Sequence, residues 1–164
     1  MDQEDIDWIK KNVKEETPQK IEFDASIDDT SKVLEFYLER VRAKLNREVT
    51  AKESPTFADN DYRILVEGKL HHFIEVKIRR NSFTRYDTTK MPLRKHGVAE
   101  HYYKALKLKS FFVAKFSDGV VAALDLTKEP YRIETQVARY DRGNDTDVYA
   151  FYKISEMTVL TSRN

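Results

Sequence analysis

Residues 61–80 constrain the fold of this chain more than any other part of its sequence. Two stretches with many β-branched and aromatic residues, 61–67 and 70–79, flank the pair Gly68-Lys69, where glycine favours a tight turn. This pattern predicts a β-hairpin. The second strand is apolar over most of its length, so we expect it to lie in the interior of a sheet.

That second strand is expected to hold two charged residues on one face and packed apolar side chains on the other. Because alternate residues of a strand point the same way, Glu75 and Lys77 share one face. The apolar side chains beside them point to the layer beneath, and they are Ile74, Val76 and Ile78.

The length of the hairpin loop decides where Asp61 lies relative to this pair. A three-residue loop over 67–69 places Asp61 directly across from Glu75. A two-residue loop at Gly68-Lys69 places it opposite Val76, on the wrong face, unless a bulge or the twist of the sheet corrects the register. We therefore expect the odd-numbered loop or a bulge.

Asp61 and Glu75 in this arrangement predict a site for a divalent metal ion. Two carboxylates this close do not both stay comfortably ionised without a cation between them, and oxygen ligands suit Mg²⁺, with Mn²⁺ as a substitute. A metal bound there polarises a phosphodiester and activates water, while Lys77 orients that water or offsets the developing charge. The expected reaction is phosphodiester hydrolysis to a 5′-phosphate and a 3′-hydroxyl.

The rest of the sequence predicts an α/β sandwich with a mixed central sheet. Apolar residues at helical spacing predict a first helix over 29–46, and Pro92 is suited to open a second helix that runs to about Lys109. The other predicted elements are a strand at 48–52, a strand–turn–strand unit at 110–126, and a third hairpin from 131–140 and 148–154.

Charge is distributed unevenly along the chain, although the formal net charge is only +1. Residues 1–30 contain ten acidic side chains and four lysines, whereas 77–109 contain ten basic side chains and two acidic ones. Aromatic residues are interleaved with the basic group, a combination found where proteins contact phosphates and stack on bases. A solvated helix face would have the same composition.

The bulk composition predicts a single cytoplasmic domain over residues 1–164 with no membrane partner. The length suits one domain, the mean hydropathy of -0.67 leaves no stretch able to span a bilayer, and the absence of cysteine fits a reducing compartment. The start of the chain lacks the pattern of a secretory signal. The predicted parts are an acidic N-terminal segment (1–28) with a short helix at Ile6, Ile9 and Val13, a core (about 29–126) and a C-terminal β-hairpin extension (127–164).

The order of elements in the predicted core, together with its charged residues, resembles the PD-(D/E)xK (restriction-endonuclease-like) nuclease superfamily. In this resemblance Asp61 is the first acid, and Glu75 and Lys77 form the (D/E)xK part. The sequence has Asn60 before Asp61 where the superfamily often has proline, which leaves Asp59 as the second choice for the first acid.

The resemblance implies a three-layer restriction-endonuclease-like fold and a metal-dependent DNA endonuclease, of a phage type or similar to Holliday-junction resolvases. It implies that Asp61, Glu75 and the backbone carbonyl of Val76 bind the metal. Members often add an acid from the first helix and a basic or amide residue from the second. The candidates are Glu35, then Glu39, and Lys95. Many members cut as dimers, so a homodimer is also implied.

Five basic residues beyond the predicted catalytic strand are candidates for contacting phosphates. They are Arg79, Arg80, Arg85, Lys90 and Arg94. A solvated loop explains the first three of them about as well. The alternative to a nuclease is a non-catalytic module on the same fold that binds nucleic acid or a protein, and the choice between DNA and RNA stays open.

The four histidines are expected to be surface groups or to lie outside the metal's own ligands. His71 and His72 are adjacent in a strand and should face opposite sides, and His96 and His101 are five residues apart on a helix. Neither pair has the spacing of metal ligands.

Overall fold

A computed structural model of the protein describes residues 29–55, 58, 60–139 and 145–161. The acidic segment, including the helix predicted at Ile6, Ile9 and Val13, lies outside the described residues, and so does Asp59. The elements in chain order are α1 (Thr30–Leu45), β1 (Val49–Glu53), β2 (Tyr62–Val66), β3 (Lys69–Ile78), β4 (Thr88–Pro92), α2 (Leu93–Leu106), β5 (Ser110–Lys115), β6 (Val121–Asp125), β7 (Arg132–Arg139), β8 (Asp145–Lys153), a 3₁₀ turn (Ile154–Glu156) and β9 (Thr158–Val159).

A mixed six-stranded sheet forms the middle layer, in the order β1-β2-β3-β5-β6-β9. β3 and β5 run parallel, and the other neighbouring strands of this sheet are antiparallel. The parallel pair needs a crossover connection, which α2 provides. β3 therefore lies inside the sheet, as its apolar sequence predicts.

Apolar layers cover both faces of this sheet. On one face α1 packs against the strands through a cluster that includes Val33, Tyr37, Val41, Ile74 and Val113. On the other face α2 and β8 contribute to a second cluster that includes Ala99, Tyr152, Phe112 and Leu124. The chain thus has the three layers of a restriction-endonuclease-like fold, which confirms the predicted α/β class with a mixed sheet between helices.

The helix boundaries follow from local backbone chemistry. Asp29 caps α1 by accepting a hydrogen bond from the Ser31 backbone N–H at 2.9 Å, and Asn46 ends the helix in a left-handed conformation at φ 51°. α2 begins directly after Pro92 and ends where Lys107 turns left-handed at φ 59°. Both helices lie where the sequence predicts them, although α2 ends a little earlier.

The hairpin of β2 and β3 contains the bulge that the sequence predicts, but its loop differs from both predicted loops. Its two-residue turn is Glu67-Gly68, with positive φ at both residues, and neither loop predicted from the sequence is formed. A register shift at Ile64 leaves His71 as an extra residue in β3, so Tyr62 pairs with Ile74. One further step in this register places Asp61 across from Glu75.

The same bulge brings His71 and His72 together, which corrects the prediction that they face opposite sides. Their Nδ1 atoms lie 2.8 Å apart, and the Tyr37 hydroxyl lies 2.6 Å from His72 Nε2. Both histidines are buried and do not lie at the surface. Burial, with a smaller contribution from His71, holds the pKa of His72 well below its usual value, so the ring stays neutral.

A second, three-stranded antiparallel sheet has the order β4-β8-β7. The predicted third hairpin is confirmed as β7 and β8, and the strand–turn–strand unit is confirmed as β5 and β6. β4 was not predicted, because Thr88–Pro92 is a short segment that contains Lys90 and ends in proline. In the part of the chain that the structure describes, no helix is long and apolar enough to cross a membrane.

Candidate active site

Asp61 immediately precedes β2 and lies beside Val76 of β3. Its backbone N–H donates to the Ile74 carbonyl at 3.1 Å, and its Oδ2 accepts from the Val76 N–H at 2.8 Å. The side chain is exposed and lines a cleft of about 490 Å³ together with Val76 and Lys77. The hairpin register and one side-chain hydrogen bond thus fix this carboxylate beside β3.

Glu75 lies on the opposite side of β3 from α1, facing α2, and its side chain is 6% exposed. Lys95 Nζ on α2 is 3.4 Å from Oε2, and Lys77 Nζ is 3.7 Å from Oε1. The Oε2 atom nonetheless has no hydrogen bond of acceptable geometry among the described residues. A buried carboxylate oxygen with an unused lone pair can accept a further cation.

A third positive group acts on the same carboxylate. Burial lowers the pKa of Arg79, and the negative charge of Glu75 acts in the opposite direction and favours its charged form. Glu75 is therefore surrounded by Lys77, Lys95 and Arg79, three cations for one carboxylate. Excess positive charge of this kind attracts phosphate groups to the site.

The residues around the cleft fit a hard divalent cation. Asp61 at the cleft and Glu75 beside Lys77 would offer carboxylate oxygens, and the Val76 carbonyl would offer a third oxygen on the side of β3 that Asp61 contacts. The carbonyl points there because the N–H and C=O of one strand residue face the same neighbour, and the Val76 N–H donates to Asp61. An all-oxygen set of this type is what Mg²⁺ and Mn²⁺ prefer.

Lys77 connects the two halves of the site. Its side chain is 51% exposed, lines the cleft with Asp61 and approaches Glu75 within ion-pair distance. Glu75 itself borders a small neighbouring cavity beside Lys95, and Asn60 lines both spaces. Asn60 was missed in the sequence, where its position next to Asp61 was the only available signal.

The two additional candidates from the helices have different surroundings. Lys95, predicted from its place on the second helix, lies against Glu75. Glu35 instead forms an ion pair with Arg42 at 2.9 Å, and Arg42 also donates to the Val49 carbonyl at the far end of β1. Neither Glu35 nor the exposed Glu39 lines the cleft.

The predicted phosphate-contacting residues fall into two groups. Arg79 is half-buried, donates to the Lys90 carbonyl at 2.8 Å and lies over the Phe112 ring, so it joins β4 to the central sheet. Four others are exposed at the surface: Arg80, Arg85, Lys90 and Arg94. Lys90 donates to Gln136 and lies 4.5 Å from the centre of the Tyr149 ring.

The order of elements and the layers are those of the restriction-endonuclease-like class. A family model described as "Phage putative PDDEXK endonuclease" matches residues 23–159. This match spans most of the chain, so the chain belongs to this family of phage PD-(D/E)xK endonucleases. Membership supports nuclease activity in general and, with it, a nucleic-acid substrate. A comparison with curated proteins finds no match.

Proposed function

We propose that the protein is a metal-dependent DNA endonuclease that uses Asp61, Glu75 and Lys77. The observation that carries this proposal is the bulged hairpin register, which puts Asp61 on the Val76 edge of β3 beside the other two residues. Family membership supports the same class of reaction.

Asp61, Glu75 and the Val76 carbonyl are the groups that would hold Mg²⁺, or Mn²⁺ in its place. When bound, the ion supplies positive charge that polarises a phosphodiester oxygen and lowers the pKa of water. The backbone N–H of Val76 fixes one oxygen of Asp61, which leaves the other oxygen for this role. Lys95 positions Glu75 from the α2 side.

Lys77 is placed to act on the attacking water and on the phosphate. Its side chain lines the cleft and its ammonium group lies 3.7 Å from Glu75, so it can hold the water in line and offset the negative charge that forms on the phosphate oxygens. In-line attack by water leaves a 5′-phosphate and a 3′-hydroxyl.

The substrate is proposed to be DNA, held through its phosphates by exposed arginines and lysines near the catalytic strand. Arg80 and Arg85 follow β3 directly, and Arg94 lies in the first turn of α2. These contacts are to the backbone, so they position the strand without reading its sequence. A homodimer is proposed because many members of the superfamily dimerise to cut both strands of a duplex.

Cleavage of a mixed nucleic-acid panel tests this proposal. The panel contains supercoiled plasmid, linear duplex, single-stranded DNA, a four-way junction and RNA, each with Mg²⁺, Mn²⁺ or EDTA. Glu75→Gln and Lys77→Ala are compared with Glu48→Gln and Lys69→Ala, which alter exposed residues at the turn end of the hairpin.

We expect metal-dependent cutting of DNA by the wild-type protein and both control variants, and none by the two site variants. Lys77→Ala should still bind the substrate. Inactivity of every protein on every substrate, with tight DNA binding retained, would replace the proposal with a non-catalytic binding module. Cleavage of RNA alone would correct the substrate class and keep the site.

A further inference from the structure

His96 on α2 has its ring orientation fixed by a backbone carbonyl. The ring is buried, and its Nδ1 lies 2.8 Å from the Leu126 carbonyl oxygen. A carbonyl oxygen only accepts, so Nδ1 carries the hydrogen and the neutral ring has its lone pair on Nε2. This is the arrangement by which proteins orient a histidine that ligates a metal.

Nε2 of His96 faces a carboxylate that also carries lone pairs. It lies 3.1 Å from Glu100 Oε1, one helical turn further along α2. Two acceptors at this distance need a cation between them, either a proton on the ring or a metal ion. The other oxygen of Glu100 approaches Lys104 at 3.8 Å, so Oε1 alone is presented to His96.

A third ligand comes from a different part of the chain. Glu129 lies in the connection between β6 and β7, and its carboxylate completes a group with His96 and Glu100 in which the ligand atoms all lie within 4.8 Å of one another. Ligand atoms that share one tetrahedral zinc ion lie about 3.3–3.6 Å apart. Glu129 is exposed, so its side chain can rotate to reach this spacing.

Tyr152 of β8 provides a separate observation at the same place. Its side chain is fully buried, yet its hydroxyl has no hydrogen-bond partner among the described residues. Burial raises the pKa of Tyr152, and the nearby carboxylates of Asp125, Glu129, Glu100 and Glu156 raise it further. A buried hydroxyl without a partner is uncommon, and a bound ion with its water would give it one.

We propose that His96, Glu100 and Glu129 bind one Zn²⁺ ion at a site separate from Asp61 and Glu75. One nitrogen and two carboxylate oxygens suit Zn²⁺ better than Mg²⁺, and three protein ligands leave a position for water near Tyr152. The ligands come from α2 and from the β6–β7 connection, so the ion joins the helix that carries Lys95 to the start of the second sheet. The proposal does not depend on nuclease activity.

Zinc binding by the full-length protein tests the site. The protein is stripped with a chelator, and the Zn²⁺ retained per chain is measured by equilibrium dialysis and elemental analysis. The Glu75→Gln variant serves as the parent, since it weakens the other metal site. Glu129→Gln and His96→Gln are added to this parent, with Glu48→Gln and His101→Gln as controls at exposed positions.

We expect one Zn²⁺ per chain in the parent and in both controls, and an affinity at least about tenfold lower after Glu129→Gln or His96→Gln. Zn²⁺ should also raise the unfolding temperature of the parent and of the controls only. Glu129 is exposed, so its substitution tests the site even if the buried His96 variant does not fold. No Zn²⁺ retained by the parent, or equal retention after Glu129→Gln, would overturn the proposal.

Discussion

Lys77 and Lys95 approach the same carboxylate, but Lys95→Ala should mainly lower the stability of the fold and Lys77→Ala should mainly lower the rate of cleavage. Lys95 is 11% exposed and lies 3.4 Å from Glu75, whereas Lys77 is 51% exposed and lies 3.7 Å from it. Removing one partner of a buried pair leaves an uncompensated charge, which costs roughly 3–5 kcal/mol, whereas an exposed pair contributes about 0–1 kcal/mol. Burial therefore decides which lysine stabilises the fold.

We expect Lys95→Ala to lower the free energy of unfolding by about 3 kcal/mol, the lower end of that range, because Lys77 and Arg79 still face Glu75. Lys77→Ala should lower it by less than about 1 kcal/mol. The order reverses for cleavage, since losing a group that stabilises charge in the transition state costs about 10²–10³ in rate. Lys77→Ala should therefore lose at least that much activity.

Urea unfolding and single-turnover cleavage at saturating Mg²⁺ measure the two effects on the same preparations. Lys69→Ala, at the other end of β3, serves as the control and should change neither quantity. The reasoning fails if Lys77→Ala destabilises the protein as much as Lys95→Ala does. It also fails if Lys77→Ala cleaves at the wild-type rate.

Three further predictions concern stability and binding. The pKa of His72 is lower in the folded protein than in the unfolded chain, so the unfolded chain binds more protons, and the free energy of unfolding should fall by up to about 1.4 kcal/mol per pH unit below pH 6.5. Urea unfolding from pH 7.5 to 5.0 should show this loss in the wild-type protein, and the His72→Leu variant should lack the part of it that His72 causes. The Cβ added by Gly97→Ala in α2 meets no atom within 4 Å, so this substitution should raise the free energy of unfolding by about 0.5–1 kcal/mol. Gly68→Ala, at φ 76°, should lower it by about 1 kcal/mol. Thermal unfolding measures both changes. Arg80→Ala should reduce the slope of the logarithm of the DNA-binding constant against the logarithm of the salt concentration by about 1, without changing the free energy of unfolding. Arg79→Ala should mainly lower the free energy of unfolding, because Arg79 holds β4 through the Lys90 carbonyl. Binding isotherms at several salt concentrations and unfolding curves measure these effects.

The elements of the fold could largely be predicted because their signals are local. The apolar spacing of α1, its cap at Asp29 and the position of Pro92 before α2 all depend on residues within one or two helical turns. The strand pairs β5–β6 and β7–β8 follow from turn residues between apolar runs. β4 escaped prediction because its pairing partner, β8, lies more than fifty residues away in sequence.

The shared face of Glu75 and Lys77 could be predicted, but the surroundings of the candidate site could not. Glu75 and Lys77 share a face because of strand periodicity alone, which needs no tertiary information. The ion pair of Glu35 with Arg42 and the use of Arg79 to hold β4 depend on how separate elements meet. The group of His96, Glu100 and Glu129 had only one local signal, the four-residue spacing of the first two.

The bulge at His71 links packing on one face of the sheet to the position of the proposed site residues on the other. Without the extra residue, the Glu67-Gly68 turn would place Asp61 across from Ile74, on the face that packs against α1. The extra histidine is held beside His72, which the Tyr37 hydroxyl of α1 contacts at 2.6 Å. A buried contact between α1 and β3 therefore supports the register that aligns Asp61 with Glu75, although none of its three members lines the cleft.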